Sequence, residues 1–71
     1  MKQKEFTLTE EYIELIKLLK FLGIADTGGQ AKQMVENEEV SVDGVIELRK
    51  RRKIRSGMKV TVGTEYTIDI K

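Results

Sequence analysis

The sequence predicts an α+β fold in which two main helices pack on a small antiparallel β-sheet. Three observations carry that expectation. In the first half, apolar residues recur at helical spacing, at Tyr12, Leu15, Ile16, Leu19 and Leu22 and again at Ala31, Met34 and Val35. In the second half they alternate at strand spacing, as in Met58-Lys59-Val60-Thr61-Val62 and Tyr66-Thr67-Ile68-Asp69-Ile70. The pairs Asp43-Gly44, Ser56-Gly57 and Gly63-Thr64 punctuate that half as turns. Helices followed by a run of strands give α+β layering.

The elements follow in order. Lys4 to Leu8 alternates, with Phe6 and Leu8 on one side, and reads as a short strand. Thr7 and Glu10 have capping-box spacing, and Thr9 before Glu10-Glu11 offers a second cap. Either starts a helix from about Glu10 to Leu22, which Gly23 ends. Lys17 and Lys20 lie three apart on a face beside its apolar stripe. Asp26 or Thr27 caps a second helix over about Gly28 to Asn37. Gly28 and Gly29 each cost up to about 1 kcal/mol against alanine in a helix interior, but less in a first turn. At that position they also let another molecule approach the backbone. Val40-Ser41-Val42 and Val45-Ile46 flank Asp43-Gly44, a strong two-residue hairpin signal. Phe6, Tyr12, Phe21 and Tyr66 are expected in the core, since sheet readers of bases need exposed strand aromatics and these are few. No repeat or linker divides residues 1–71, which read as one domain small enough to bury only about 60% of its unfolded surface.

Composition excludes several chemistries. There is no cysteine and no histidine, so disulfides, zinc knuckles and Ser-His or Cys-His catalysis are out. No apolar stretch approaches the roughly 20 residues that span a bilayer, and no long apolar run follows residues 1–5 to make a signal peptide. A cytoplasmic location is the default expectation, with no cofactor and no metal.

Charge is the most informative feature. The chain carries 13 basic and 12 acidic residues, yet Arg49 to Arg55 reads RKRRKIR. Seven of the 13 basic residues fall between Arg49 and Lys59, and no acidic residue does. A positive patch on a balanced surface attracts a polyanion. The plainer alternative is a solvated face.

Thr27-Gly28-Gly29-Gln30-Ala31-Lys32, then Val40-Ser41-Val42-Asp43-Gly44, then Arg49-Lys50-Arg51-Arg52-Lys53-Ile54 before Ser56-Gly57, stand in an order that closely resembles the S4 RNA-binding domain. The likeness is strongest to the stand-alone bacterial branch of small S4-like proteins, of the YaaA or YbcJ type. It covers about Phe6 to Ile70. It implies the S4-like (alpha-L) fold and a non-enzymatic protein that grips structured RNA, ribosomal or transfer; a monomeric state and association with the ribosome are the accompanying expectations. By matching position it implies contacts from Gly28, Gly29, Gln30 and Lys32 at the opening of the second helix, where free N–H groups suit a phosphate. Arg49, Arg51, Arg52 and Arg55 would fork onto phosphates, Lys50 and Lys53 would act as point charges, and Lys17 and Lys20 would extend the patch.

The chain departs from the family in three places. Gly28-Gly29 replaces a common Ser-Arg, Gly57-Met58 replaces a Gly-Asp turn, and Glu14 stands where an early helix cation is frequent. Glu36, Glu38 and Glu39 form a separate acidic cluster with no metal-loop spacing, suited to pairing with basic residues of a neighbouring molecule or to keeping RNA off that side. The rival readings are a protein-interaction module whose patch docks an acidic partner, a DNA binder without an evident base-reading helix, and, weakest, an enzyme.

Overall fold

The computed structural model describes residues 2–71, and Met1 lies outside the described residues. The elements are β1 (Lys2–Phe6), β2 (Ile13–Glu14), α1 (Leu15–Phe21), α2 (Gly28–Glu36), β3 (Val40–Val42), β4 (Val45–Ile46), β5 (Lys53–Ile54), β6 (Lys59–Val62) and β7 (Tyr66–Ile70). Five strands form one sheet in the order β1-β7-β6-β3-β4, and β2 pairs with β5 in a separate two-stranded ladder. The α+β layering holds, but the main sheet is mixed: β1 runs parallel to β7, from Lys2 opposite Tyr66 to Phe6 opposite Ile70. The expected all-antiparallel sheet is corrected there. Its other pairings are antiparallel. The alternation of Lys4 to Leu8 marked a strand but carried no information on its direction, which the distant β7 sets.

The first helix is shorter than its periodicity suggests. It begins at Leu15, and the residue before it, Glu14, makes no side-chain cap bond. Ile13 and Glu14 are extended instead, opposite Ile54 and Lys53. The open amides of the first turn find other partners: Leu15 N–H donates to the Arg52 carbonyl (2.9 Å) and Ile16 N–H to that of Lys50 (3.2 Å). A tertiary cap has displaced the expected Thr7 and Thr9 caps. Tyr12 therefore lies outside the helix, and the buried stripe is Leu15, Leu18 and Leu19. Gly23 (φ +74°) closes α1, with Ile24 N–H reaching back to the Leu19 carbonyl.

The second helix forms as expected. Thr27 is its N-cap, and its hydroxyl accepts from Gln30 N–H at 3.1 Å. Ala31 and Val35 are buried and Met34 is half-buried against the core. Asp43 and Gly44 both have positive φ (51° and 85°), the signature of a type I′ hairpin. Asp43 also ties β3 to β6, because its carboxylate accepts from Lys59 N–H at 2.9 Å.

One hydrophobic cluster joins both helices to the sheet, with Leu15, Leu18, Leu19, Ala31, Val35, Val40, Ile54, Val60 and Ile68 at its centre. It is entirely aliphatic. The expected aromatic core is corrected: Phe21 is 73% exposed and Tyr12 is exposed too, while Phe6 and Tyr66 pack at the margin. Phe6 and Phe21 meet edge to face, ring centroids 5.3 Å apart. Among the described residues no helix is long and apolar enough to cross a membrane.

Candidate nucleic-acid interface

The basic run is not a free loop. Lys53 and Ile54 form β5 inside it, and Ile54 is fully buried, pinning the run to the core. The carbonyls of Lys50 and Arg52 cap α1. The backbone is thus held from both sides, and the side chains project from a fixed track.

Glu47 organises the start of that track. After β4, whose two residues are both exposed, Leu48 also faces solvent while Glu47 between Ile46 and Leu48 turns inward. Its N–H donates to the Val40 carbonyl at 2.9 Å. Its carboxylate accepts from Arg49 N–H and Arg49 Nε, both at 3.0 Å, and from Arg49 Nη2 at 3.4 Å. Arg52 Nη1 stands 3.5 Å away on the same carboxylate. The Arg49 side-chain bond holds the Glu47 carboxyl below the usual carboxylate range. Burial opposes it, and the Arg49 N–H and the charges of Arg49 and Arg52 reinforce it. The same bond raises the Arg49 guanidinium.

The other cations meet different partners. Lys50 pairs with Glu36 at the end of α2, and Arg55 pairs with Glu11 at 3.1 Å. Lys53 Nζ lies 4.9 Å from the Tyr12 ring centre, and the Arg55 guanidinium 5.7 Å from it, both within cation–π range. Arg51 is exposed, and among the described residues its side chain has no ion pair or hydrogen bond. Arg49, Arg51, Arg52, Lys53 and Arg55, with Met58, line one open cleft of about 590 Å³. The exposed pairs are each worth about 0–1 kcal/mol, so a phosphate can exchange with them at small cost.

The structure divides the residues singled out in the sequence. Five of the six cations of the run share the cleft, and Lys50 faces α2 instead. Lys17 is exposed and pairs with Glu14 at 3.4 Å, and Lys20 is exposed in the last turn of α1. Lys32 lies mid-helix, about 6 Å from Glu36 along the axis of α2, whereas Gly28, Gly29 and Gln30 open the helix at the end away from Glu36, with Gly28 about 12 Å from it. There the Gln30 amide is taken by Thr27, and the Gln30 side-chain oxygen accepts from Asp26 N–H at 2.7 Å. The amides of Gly28 and Gly29 precede the first intrahelical bond, and a side chain added at Gly28 would meet open space. Gln30 borders a different concavity, with Glu39, Glu65 and Tyr66.

Sequence reasoning missed the carboxylates that address the cations: Glu11, Glu36 and, above all, Glu47. The signal for Glu47 was its spacing. In an extended segment residues two apart share a side, which sets Glu47 beside Arg49. Glu36 and Glu11 carry no comparable signal, because their partners come from distant segments.

A helix pair on a mixed sheet, with a cationic track pinned beneath the first helix, defines a small nucleic-acid-binding type of module. The S4 domain family model matches residues 6–71, and the chain belongs to that family. Its relatives include YbcJ of Escherichia coli strain K12 and YbcJ of Shigella flexneri, each 44% identical over 50 residues that make up 70% of this chain and 71% of the relative. The solution structure of E. coli YbcJ, described as revealing an αL motif involved in RNA-binding, superposes with a TM-score of 0.69 at 35% identity. That match covers 97% of this chain and 90% of the other.

Proposed function

We propose that this protein binds structured RNA without catalysing a reaction, and that the cleft of Arg49, Arg51, Arg52, Lys53 and Arg55 is its main contact surface. The observation that carries the reading is the fixed cationic track: five cations line one cleft on a backbone held by Ile54 and by the start of α1. Family membership and the RNA-binding motif described for E. coli YbcJ support it. Recognition is of backbone and shape, since the cleft offers guanidinium forks and ammonium groups suited to phosphate. Lys17 and Lys20 on α1, and Lys50 paired with Glu36 of α2, add further cations outside the cleft for the same polyanion. The first half of α2, with Gly28, Gly29, Gln30 and Lys32, is a second point of phosphate contact outside the cleft. Ribosomal or transfer RNA is the expected ligand, met in the cytoplasm by a monomer.

The test is a salt titration of binding to a structured ribosomal RNA fragment, with duplex DNA of equal length as competitor. RNA-preferring affinity should fall with salt by about 0.7–0.9 log units per log unit for each phosphate neutralised. Absence of binding, or equal binding to both polymers, overturns the reading. Replacing Gly28 and Gly29 with bulky residues isolates the second contact point: unchanged affinity removes it.

A further inference from the structure

We propose that Glu47 is the positioning residue of the RNA site, a buried carboxylate that holds the guanidinium groups of Arg49 and Arg52 side by side as one phosphate clamp. The proposal rests on the RNA-binding reading above and adds a residue of the opposite charge to it.

The geometry supports positioning over mere neutralisation. A guanidinium has five N–H donors in a rigid fork. Arg49 spends its Nε edge on Glu47, through Nε at 3.0 Å and Nη2 at 3.4 Å, which leaves the Nη1 donors unused. Arg52 uses only Nη1, at 3.5 Å. The Glu47 side chain is 11% exposed, whereas those of Arg49 and Arg52 are 70% and 30% exposed. The carboxylate therefore lies beneath the two cations and leaves their outer edges facing solvent. Two like charges this close repel, and the shared anion offsets that repulsion. Arginine side chains carry much rotamer freedom, which binding would otherwise have to remove. Both Glu47 and Arg49 are fixed by backbone bonds as well, Glu47 N–H to the Val40 carbonyl and Arg49 N–H to Glu47 itself. The clamp is thus built before any ligand arrives. Arg51, between the two arginines and without a carboxylate partner, is left to adapt to the ligand.

The sign of the effect makes the proposal testable. Glu47→Gln keeps the shape and raises the net charge by one, so attraction alone predicts tighter RNA binding. Positioning predicts the reverse: affinity weaker by about tenfold, with a salt slope smaller by about the value of one to two phosphate contacts. In a chain already carrying Arg49→Ala and Arg52→Ala, adding Glu47→Gln should no longer weaken binding, since only the added positive charge remains to act. RNA binding by the wild type and the variants is measured at several salt concentrations, with thermal melts alongside. If Glu47→Gln binds as tightly as the wild type or tighter, the proposal falls and the RNA reading stands. A loss that persists in the arginine-free background also overturns it. Failure of the wild type itself to bind RNA removes both. Should Glu47→Gln not fold, the pair Arg49→Lys and Arg52→Lys decides, because charge is kept and the fork is lost: weaker binding supports the clamp, and unchanged affinity overturns it.

Discussion

Arg51 keeps its guanidinium in solvent, while the next residue, Arg52, is partly buried against Glu47. The difference separates binding from stability within one dipeptide. Arg51→Ala breaks no bond inside the protein, so it should lower the salt slope of RNA binding by about 0.7–0.9 and leave the melting temperature unchanged. A shifted melt would show that Arg51 has a structural role instead. Glu47 gives the complementary prediction in pH. Its carboxyl is held below the ordinary value of 4.5 in the folded state, so the ionised form stabilises the fold. That contribution is complete above about pH 4.5 and is lost as pH falls through the depressed value. Melts at pH 7 and pH 3 should differ more for the wild type than for Glu47→Gln, and equal shifts would contradict the assignment.

At the level of elements, β5 is the least expected feature and the one on which the site depends. Ile54 was visible in the sequence only as the apolar interruption of a cationic run. Its burial follows from pairing with Ile13, 41 positions earlier, and neither partner announces the other. The same blindness set the first helix too long: Glu10 to Glu14 suits a helix locally, yet Ile13 and Glu14 are drawn into the ladder with β5. Where structure is local, it was legible. The Thr27 cap, the Asp43-Gly44 hairpin and the Gly23 stop all appear as the residues imply, because each depends on neighbours within a few positions. Of the site, the identity and clustering of the cations were legible, and the carboxylates across from them were not. Ile54→Ala should cost about 2–5 kcal/mol, a large share of the roughly 4–11 kcal/mol expected of a domain this size. Ile54→Val should cost about 0.5–1.5 kcal/mol and spare RNA binding. Chemical denaturation of both variants checks the pair. A small loss for the alanine variant would mean that the run is held in place by the α1 cap alone.

Across the whole molecule, stability is graded from the centre of the sheet outward. β7 and β6 are paired on both sides, whereas β4 is a two-residue edge whose Val45 and Ile46 are exposed. Hydrogen exchange should find the amides of Val60 and Ile68 among the slowest and those around β4 among the fastest. Uniform exchange would indicate that the sheet opens only as a unit. The near-zero net charge, +1, works with this rigidity. Because the cations are gathered on one pinned track, the molecule presents an oriented field with little overall charge, which favours a directed encounter over indiscriminate adsorption.

The position of β7 in the sheet also has a consequence in time. The last strand of the sequence lies between β1 and β6, so it fills the middle of the sheet rather than extending an edge. Lys2 must wait for Tyr66 before it has a partner. At translation speeds of about 5–20 residues per second, that wait is on the order of 3–13 s. Throughout it the nascent chain can build its helices and the β3–β4 hairpin, but it cannot close the sheet. Folding of this protein is therefore tied to the arrival of its final strand.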